Sequence, residues 1–260
     1  MTGAHVNGAV YQIFTHGKEI CTHQINKSHP CLLHEQTGRG RADPESPLHD
    51  AGARLLMAVL HRMELPEHLL DRADILRYAM QPRSAASPES LPLEEVLKAC
   101  TGKMPCRAVW CEFPVAEREE SLDLGFAETK SASLRRHLIG CDRVILFAVT
   151  AGIAMDQLIR RASLRSPVQG LLTHAVGAAR VEQACDDLCA ELAARFALEK
   201  LTERFSPGYG DLPLSFQREV FRALDCGRTL ELTLTDTCLM QPSKSVTALV
   251  GLRRESHVDS

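Results

Sequence analysis

Arg204-Phe-Ser-Pro-Gly-Tyr209 joins a guanidinium, a tight turn and a phenol ring within six residues. Arginine presents a planar fork that meets a carboxylate with two parallel hydrogen bonds, a geometry lysine lacks. Pro207-Gly208 forces a turn, and glycine lets a ligand come close to the backbone. Tyr209 adds a flat face for a purine or a cation, and a hydroxyl for orientation. A ligand with a carboxylate, a positive sulfur and an adenine matches that set. The same residues also suit a surface turn in which Arg204 pairs with a nearby acid and Tyr209 caps the core.

A second segment, Leu234-Thr-Asp-Thr-Cys-Leu-Met-Gln-Pro-Ser-Lys-Ser-Val246, follows about thirty residues later and reads as two short apolar stretches broken at a Pro-Ser corner. Other candidate chemistries are weaker. Cys21-Thr-His23 and His29-Pro-Cys31-Leu-Leu-His34 hold metal-ligand residue types, but their spacing fits no standard zinc pattern. Cys100, Cys106 and Cys111 lie on and beside a strand-like stretch at a spacing that matches no ligand set. Cys185 and Cys189 are one helical turn apart without two further ligands nearby, so packing accounts for them better. Thr150-Ala-Gly152 is a strand-to-helix turn that could cradle an anion or simply cap the helix, capping being the commoner use.

The elements that must position these residues follow from periodicity. Leu55, Leu56, Val59, Leu60 and Met63 repeat at helical intervals up to Leu65-Pro66, and a second helix is expected over Glu67 to Tyr78. Gln81 to Pro92 is Pro- and Ser-rich and predicts a loop, followed by a helix to about Cys100. Arg107 to Phe113 reads as a strand stopped by Pro114, Leu122 to Ala127 as a weaker one, and Val144 to Val149 as a central strand buried on both faces. Between them, Ser131 or Ser133 caps a short helix that Gly140 ends. Val168 to about Lys200 predicts one long Ala-rich helix, or two broken near Gly177. Pro213 to Leu224 is a helix opened by proline, and Thr229 to Leu234 and Ser245 to Leu252 are strands.

Composition removes several function classes. The 260 residues carry a formal charge of −3, close to balance, so neither nucleic acid nor a membrane surface is expected as partner. The longest apolar run, Val144 to Ile153, is too short to span a bilayer, and no basic-then-apolar start predicts a secretory signal. The ten cysteines are therefore expected as reduced thiols in a cytoplasmic protein. Residues 1–48 hold five of the eleven histidines, end in a Gly-Arg-Pro-Ser linker and read as a poorly ordered extension. Residues 49–252 form the folded domain and 253–260 a polar tail.

The ordered set Arg204, Pro207, Gly208, Tyr209, then Leu234, Thr235, Asp236, Thr237, Met240, Pro242, Ser245 and Val246 resembles the activation domain of cobalamin-dependent methionine synthase. Upstream, Ile75-Leu-Arg-Tyr78, Val144 to Ala148 with Thr150 and Gly152, and Ile159-Arg-Arg-Ala162 resemble stand-alone relatives of that domain, so the similarity spans roughly residues 74–252. The resemblance implies an α+β fold with an antiparallel-rich sheet flanked by helices. It implies S-adenosylmethionine as ligand, with Arg204 on its carboxylate and Phe205, Ser206, Pro207, Gly208 and Tyr209 lining the rest of the site. Cys238 stands where the family carries an aromatic residue that contacts the ligand.

No Asp-x-His-x-x-Gly segment is present to supply a lower ligand to cobalt. The resemblance therefore implies a component that acts on a cobalamin-binding methionine synthase or related corrinoid protein, together with an electron donor. The alternative is a corrinoid-protein interaction module that has lost the small ligand.

Overall fold

The computed structural model describes residues 59–79 and 92–254, and residues 2–6, 9–16 and 19–24 as backbone strands alone. These three, β1 (Thr2–Val6), β2 (Ala9–His16) and β3 (Glu19–Gln24), pair as an antiparallel meander. Cys21 and His23 lie on β3, while His29, Cys31, His34 and the 255–260 tail fall outside the described residues.

After β4 (His61–Leu65), helices α1 (Arg72–Tyr78) and α2 (Leu93–Cys100) precede β5 (Cys106–Pro114). Three short strands, β6 (Ala116–Glu117), β7 (Leu122–Asp123) and β8 (Glu128–Thr129), lead to α3 (Ala132–His137) and β9 (Cys141–Thr150). Two long helices follow, α4 (Gly152–Arg165) and α5 (Pro167–Arg195), and then β10 (Glu199–Leu201). A 3-10 turn over Leu214–Phe216 opens α6 (Gln217–Ala223), with α7 (Cys226–Leu230), β11 (Thr233–Leu234), β12 (Met240–Gln241) and β13 (Ser245–Arg254) closing the chain.

An antiparallel sheet in the order β10-β13-β9-β5-β4 is the frame, making this an α+β fold with helices over an antiparallel sheet. β9 is central, as its unbroken apolar run requires: successive side chains alternate faces, so a strand buried on both has no polar positions to spare. Ile145, Phe147 and Val149 join one core with α1, α2 and α5. Val144, Leu146 and Ala148 join a second with α3, α6 and α7. Each of these side chains has no exposed surface, and full burial of one of the valines, leucines, isoleucines or phenylalanines contributes roughly 1.5–3 kcal/mol.

α5 runs unbroken through Gly177, which settles the one-helix reading. A side chain at Gly177 would press on Met155 and Lys244, so glycine is what lets α4 and the strand lead-in approach α5. Arg180 on α5 is fully buried, and its guanidinium donates to the carbonyls of Met104, Leu65 and Pro66 at 3.2, 3.2 and 2.7 Å. This cation is satisfied by backbone acceptors, which ties α5 to the ends of β4 and β5.

Several expectations need correction. Leu122 to Ala127 is not one strand, because only Leu122–Asp123 is extended before a bend at Gly125, where φ is positive, leads to β8; the long helix stops at Arg195, and Lys200 lies on β10. The helix predicted up to Leu65 is a strand at its end: His61 to Leu65 pair with Trp110 to Cys106, and the His61 ring stacks on Trp110 at 4.1 Å. Met63 and Leu65 alternate while Leu60 and Met63 are three apart, so both periods are present and an open sheet edge decides between them; residues 51–58 lie outside the described set. The second helix begins at Arg72, where Asp71 accepts from the Ala73 amide, five residues later than predicted from Glu67. Thr229 to Leu234 is mostly not a strand, because Thr229 and Leu230 belong to α7, and only Thr233–Leu234 pairs with β12. The Thr229 hydroxyl donates to the carbonyls of Leu224 and Asp225, a local bond that favours the helical turn. Ser131, with Ser133 as the other candidate, caps α3 by accepting from the Leu134 amide.

Candidate functional site

Beyond β10 the chain stays extended along the edge of β13, and Phe205 bridges Leu249 through paired backbone hydrogen bonds. Neighbouring residues of an extended segment point to opposite faces. Phe205 therefore enters the core on the α3 and α6 side, whereas Arg204 turns toward α5. There it lines a cleft of about 720 Å³ between α1 and α5, together with Leu69, Leu70, Tyr78 and the acids Asp71, Asp74, Glu182 and Asp186.

Arg204 is paired from inside the fold. Its Nη2 lies 3.2 Å from Glu182 and 3.1 Å from Asp186, which stand one helical turn apart on α5. The side chain is only 18% exposed, and its Nη1 is buried with no hydrogen-bond partner. Burial opposes the Arg204 charge, but its neighbours outweigh that cost and hold the pKa above the ordinary value. Burial also pushes the adjacent Cys185 thiol well up, so it stays protonated and the carboxylates supply the compensation. The Tyr78 phenol is likewise pushed up, by burial first and then by Glu182, and remains a neutral wall of the cleft.

The turn after Arg204 is held from both ends. Ser206 donates to the Thr247 carbonyl at 2.8 Å, and the Gly208 amide donates to the Leu212 carbonyl at 2.8 Å. Asp211 accepts from the Ser131 hydroxyl and from the amides of Ala132 and Ser133, anchoring the loop to the start of α3. Those bonds, the Ser131 hydroxyl first, hold the Asp211 carboxyl below the usual carboxylate range.

The predicted site residues divide between two places. Arg204 lines the α1/α5 cleft. Tyr209 does not line it; its ring meets Phe205 edge-on at 5.7 Å and packs with Leu214, Phe221, Leu234 and Met240. The two segments singled out in the sequence thus meet at Tyr209. Cys238 is buried in the β11–β12 turn, in the left-handed region at φ 62°, with its amide donating to Thr235. It too stands apart from the cleft around Arg204.

Glu182, Asp186 and Asp74 were not read from the sequence as site residues. The available signal was the Glu182/Asp186 spacing, two acids one helical turn apart; Asp187 and Glu191 repeat that spacing on the same helix, so the pattern alone does not single them out. Among the described residues, no group of three or more His, Cys, Asp or Glu is arranged to hold a metal ion, and no helix is long and apolar enough to cross a membrane.

No family model matches this chain, and no curated protein matches it. Among solved structures it is similar to the crystal structure of the MetH reactivation domain bound to AdoHcy, with a TM-score of 0.48 and 15% identity, over 76% of this chain and 79% of that one.

Proposed function

We propose that the Arg204 cleft binds S-adenosylmethionine and that the protein supports reductive remethylation of a cobalamin held by a partner corrinoid protein, as a reactivation component of a methionine synthase. The observation carrying this reading is the unpartnered Nη1 of Arg204 in a cleft otherwise rich in carboxylates. An orphaned buried donor costs free energy, and because Nη1 has almost no accessible surface, a ligand carboxylate would recover it as the guanidinium turns toward the cleft. The remaining charges of the ligand, a sulfonium and an ammonium, are both positive, and Asp71, Asp74, Glu182 and Asp186 suit them. Volumes of this order are usual for small-molecule sites.

The role of these residues is to bind and orient. Arg204 fixes the amino-acid end, the acids draw in the cationic end, and Leu70 and Tyr78 supply the apolar wall. The partner's cobalamin supplies the methyl-accepting chemistry, and a separate electron donor supplies the reducing equivalent.

A second reading is a corrinoid-protein interaction module without the small ligand. It is favoured by the engagement of Nη2 with Glu182 and Asp186, which already provide the anion that a ligand would bring.

Calorimetric titration with S-adenosylmethionine separates the two. The first reading expects saturable binding that weakens about tenfold to a hundredfold in Arg204→Lys, a variant that keeps the charge but loses the fork. No heat with the intact protein, alongside retained capture of a cobalamin-loaded partner, would establish the second.

A further inference from the structure

We infer that a second site, on the groove between α2, α4 and α5, binds a carboxylate carried on a short apolar body. The floor of this groove is apolar: Val96, Ala99 and Cys100 from α2, and Leu158 and Ala162 from α4. Its rim carries Lys103, Arg161 and Arg165. The volume, about 290 Å³, sits at the lower edge of ordinary ligand sites, which suits a small acid and not a nucleotide. It shares no lining residue with the Arg204 cleft, so the inference stands apart from the function proposed above.

The charges of the rim are what point to an anion. Several arginines meet carboxylates of the same chain, Arg72 with Glu94, Arg107 with Glu231 and Arg143 with Glu112, while others such as Arg62 and Arg160 do not among the described residues; what sets Arg161 and Arg165 apart is that both line one apolar groove. Arg161 and Arg165 make no ion pair or hydrogen bond among the described residues, although Glu95 lines the same groove. They lie one turn apart on α4 and so extend from the same face. Lys103 spends one donor on the Ala99 carbonyl at 2.8 Å and keeps two. Three cations above an apolar floor favour an occupant whose anionic end meets the rim while its body leaves water. Inorganic phosphate satisfies only the rim.

The turn that presents the arginines is rigid. α4 and α5 meet so closely at Ser163 and Gly170 that a side chain at 170 would run into the Ser163 backbone. The Ser163 hydroxyl is itself committed to the Ile159 carbonyl.

Isothermal titration with octanoate, and in a second arm with the acetylated, amidated peptide Leu-Glu-Leu-Glu, tests the site. Saturable binding of octanoate is expected, weakening at least tenfold in Arg161→Gln/Arg165→Gln and on raising salt. Binding of the peptide in preference to octanoate would overturn the inference, because a groove of about 290 Å³ takes the small free acid and not an acidic segment of another protein. Both arginines are exposed, so an unchanged urea midpoint is expected for the variant. Equal affinity for inorganic phosphate would overturn the inference, as would binding that survives the double substitution or no saturable heat with octanoate.

Discussion

Arg204 and Glu182 form a nearly dry ion pair, 18% and 12% exposed, between the edge of β13 and the middle of α5. Removing one partner of such a pair strands the other charge, which typically costs about 3–5 kcal/mol, whereas replacing both is far milder. Arg204→Met should therefore destabilise the protein more than the double variant Arg204→Met/Glu182→Gln does. Urea denaturation of the four-member cycle reads the coupling, expected at about 1–3 kcal/mol. Additive effects would mean that the exposed Asp186, and not Glu182, neutralises the guanidinium.

The loop that carries Arg204 depends on Gly210. Its φ is +52°, and a Cβ there would lie 2.5 Å from the Ser133 hydroxyl oxygen and 2.6 Å from Ser133 Cβ. Gly210→Ala thus combines a left-handed backbone penalty of about 1–2 kcal/mol with overpacking of about 1–3 kcal/mol. Adding Ser133→Gly should restore only the overpacking part. Thermal melts of the single and double variants check this, and full recovery would show that the backbone angle costs nothing.

Asp211 makes the same loop sensitive to acid. Its carboxyl titrates below the ordinary range in the folded protein, so its contribution is complete above the unfolded pKa and lost as pH falls through the lower folded one. Amide exchange at Ala132 and Ser133 should therefore stay slow at pH 4 and quicken only at lower pH. In Asp211→Ala that protection should be gone at pH 7 as well.

These dependencies explain which features were legible in the sequence. The β9 run, the unbroken middle of α5 and the Ser131 cap are local patterns, and each formed where periodicity or capping chemistry placed it, although α5 ends at Arg195, short of Lys200. β4 was misread because the deciding partner, β5, begins 41 residues after β4 ends. Arg204 was recognisable as a forked cation at a Pro-Gly bend. Its acids and its tyrosine wall are brought to it by packing from α5 and α1, and Asp211, though on the same loop, finds its partners only at the start of α3. The separation of Tyr209 from the cleft begins at Phe205, which strand alternation sends to the face opposite Arg204; after the turn Tyr209 packs edge-on against that ring.

Lys244 offers the clearest pH signature. It is fully buried beside His174, with its amine 2.9 Å from Nε2, and burial lowers its pKa to about 7 against a partial opposing effect of Asp156. From α4, Asp156 is committed to the amide and hydroxyl of Ser243 at 2.8 and 2.7 Å, so it does not pair with the amine directly. The unfolded chain binds more protons than the folded one between about pH 7 and the ordinary lysine value of 10.5. Stability therefore rises with pH across that window and is lowest once the amine is charged inside the fold. Lys244→Met removes the titrating group while filling similar space. It should stabilise the protein most at pH 6 and progressively less toward pH 10, as read from urea midpoints at each pH. A stabilisation of constant size across that range would show that the folded amine is already charged throughout, held so by His174 and Asp156.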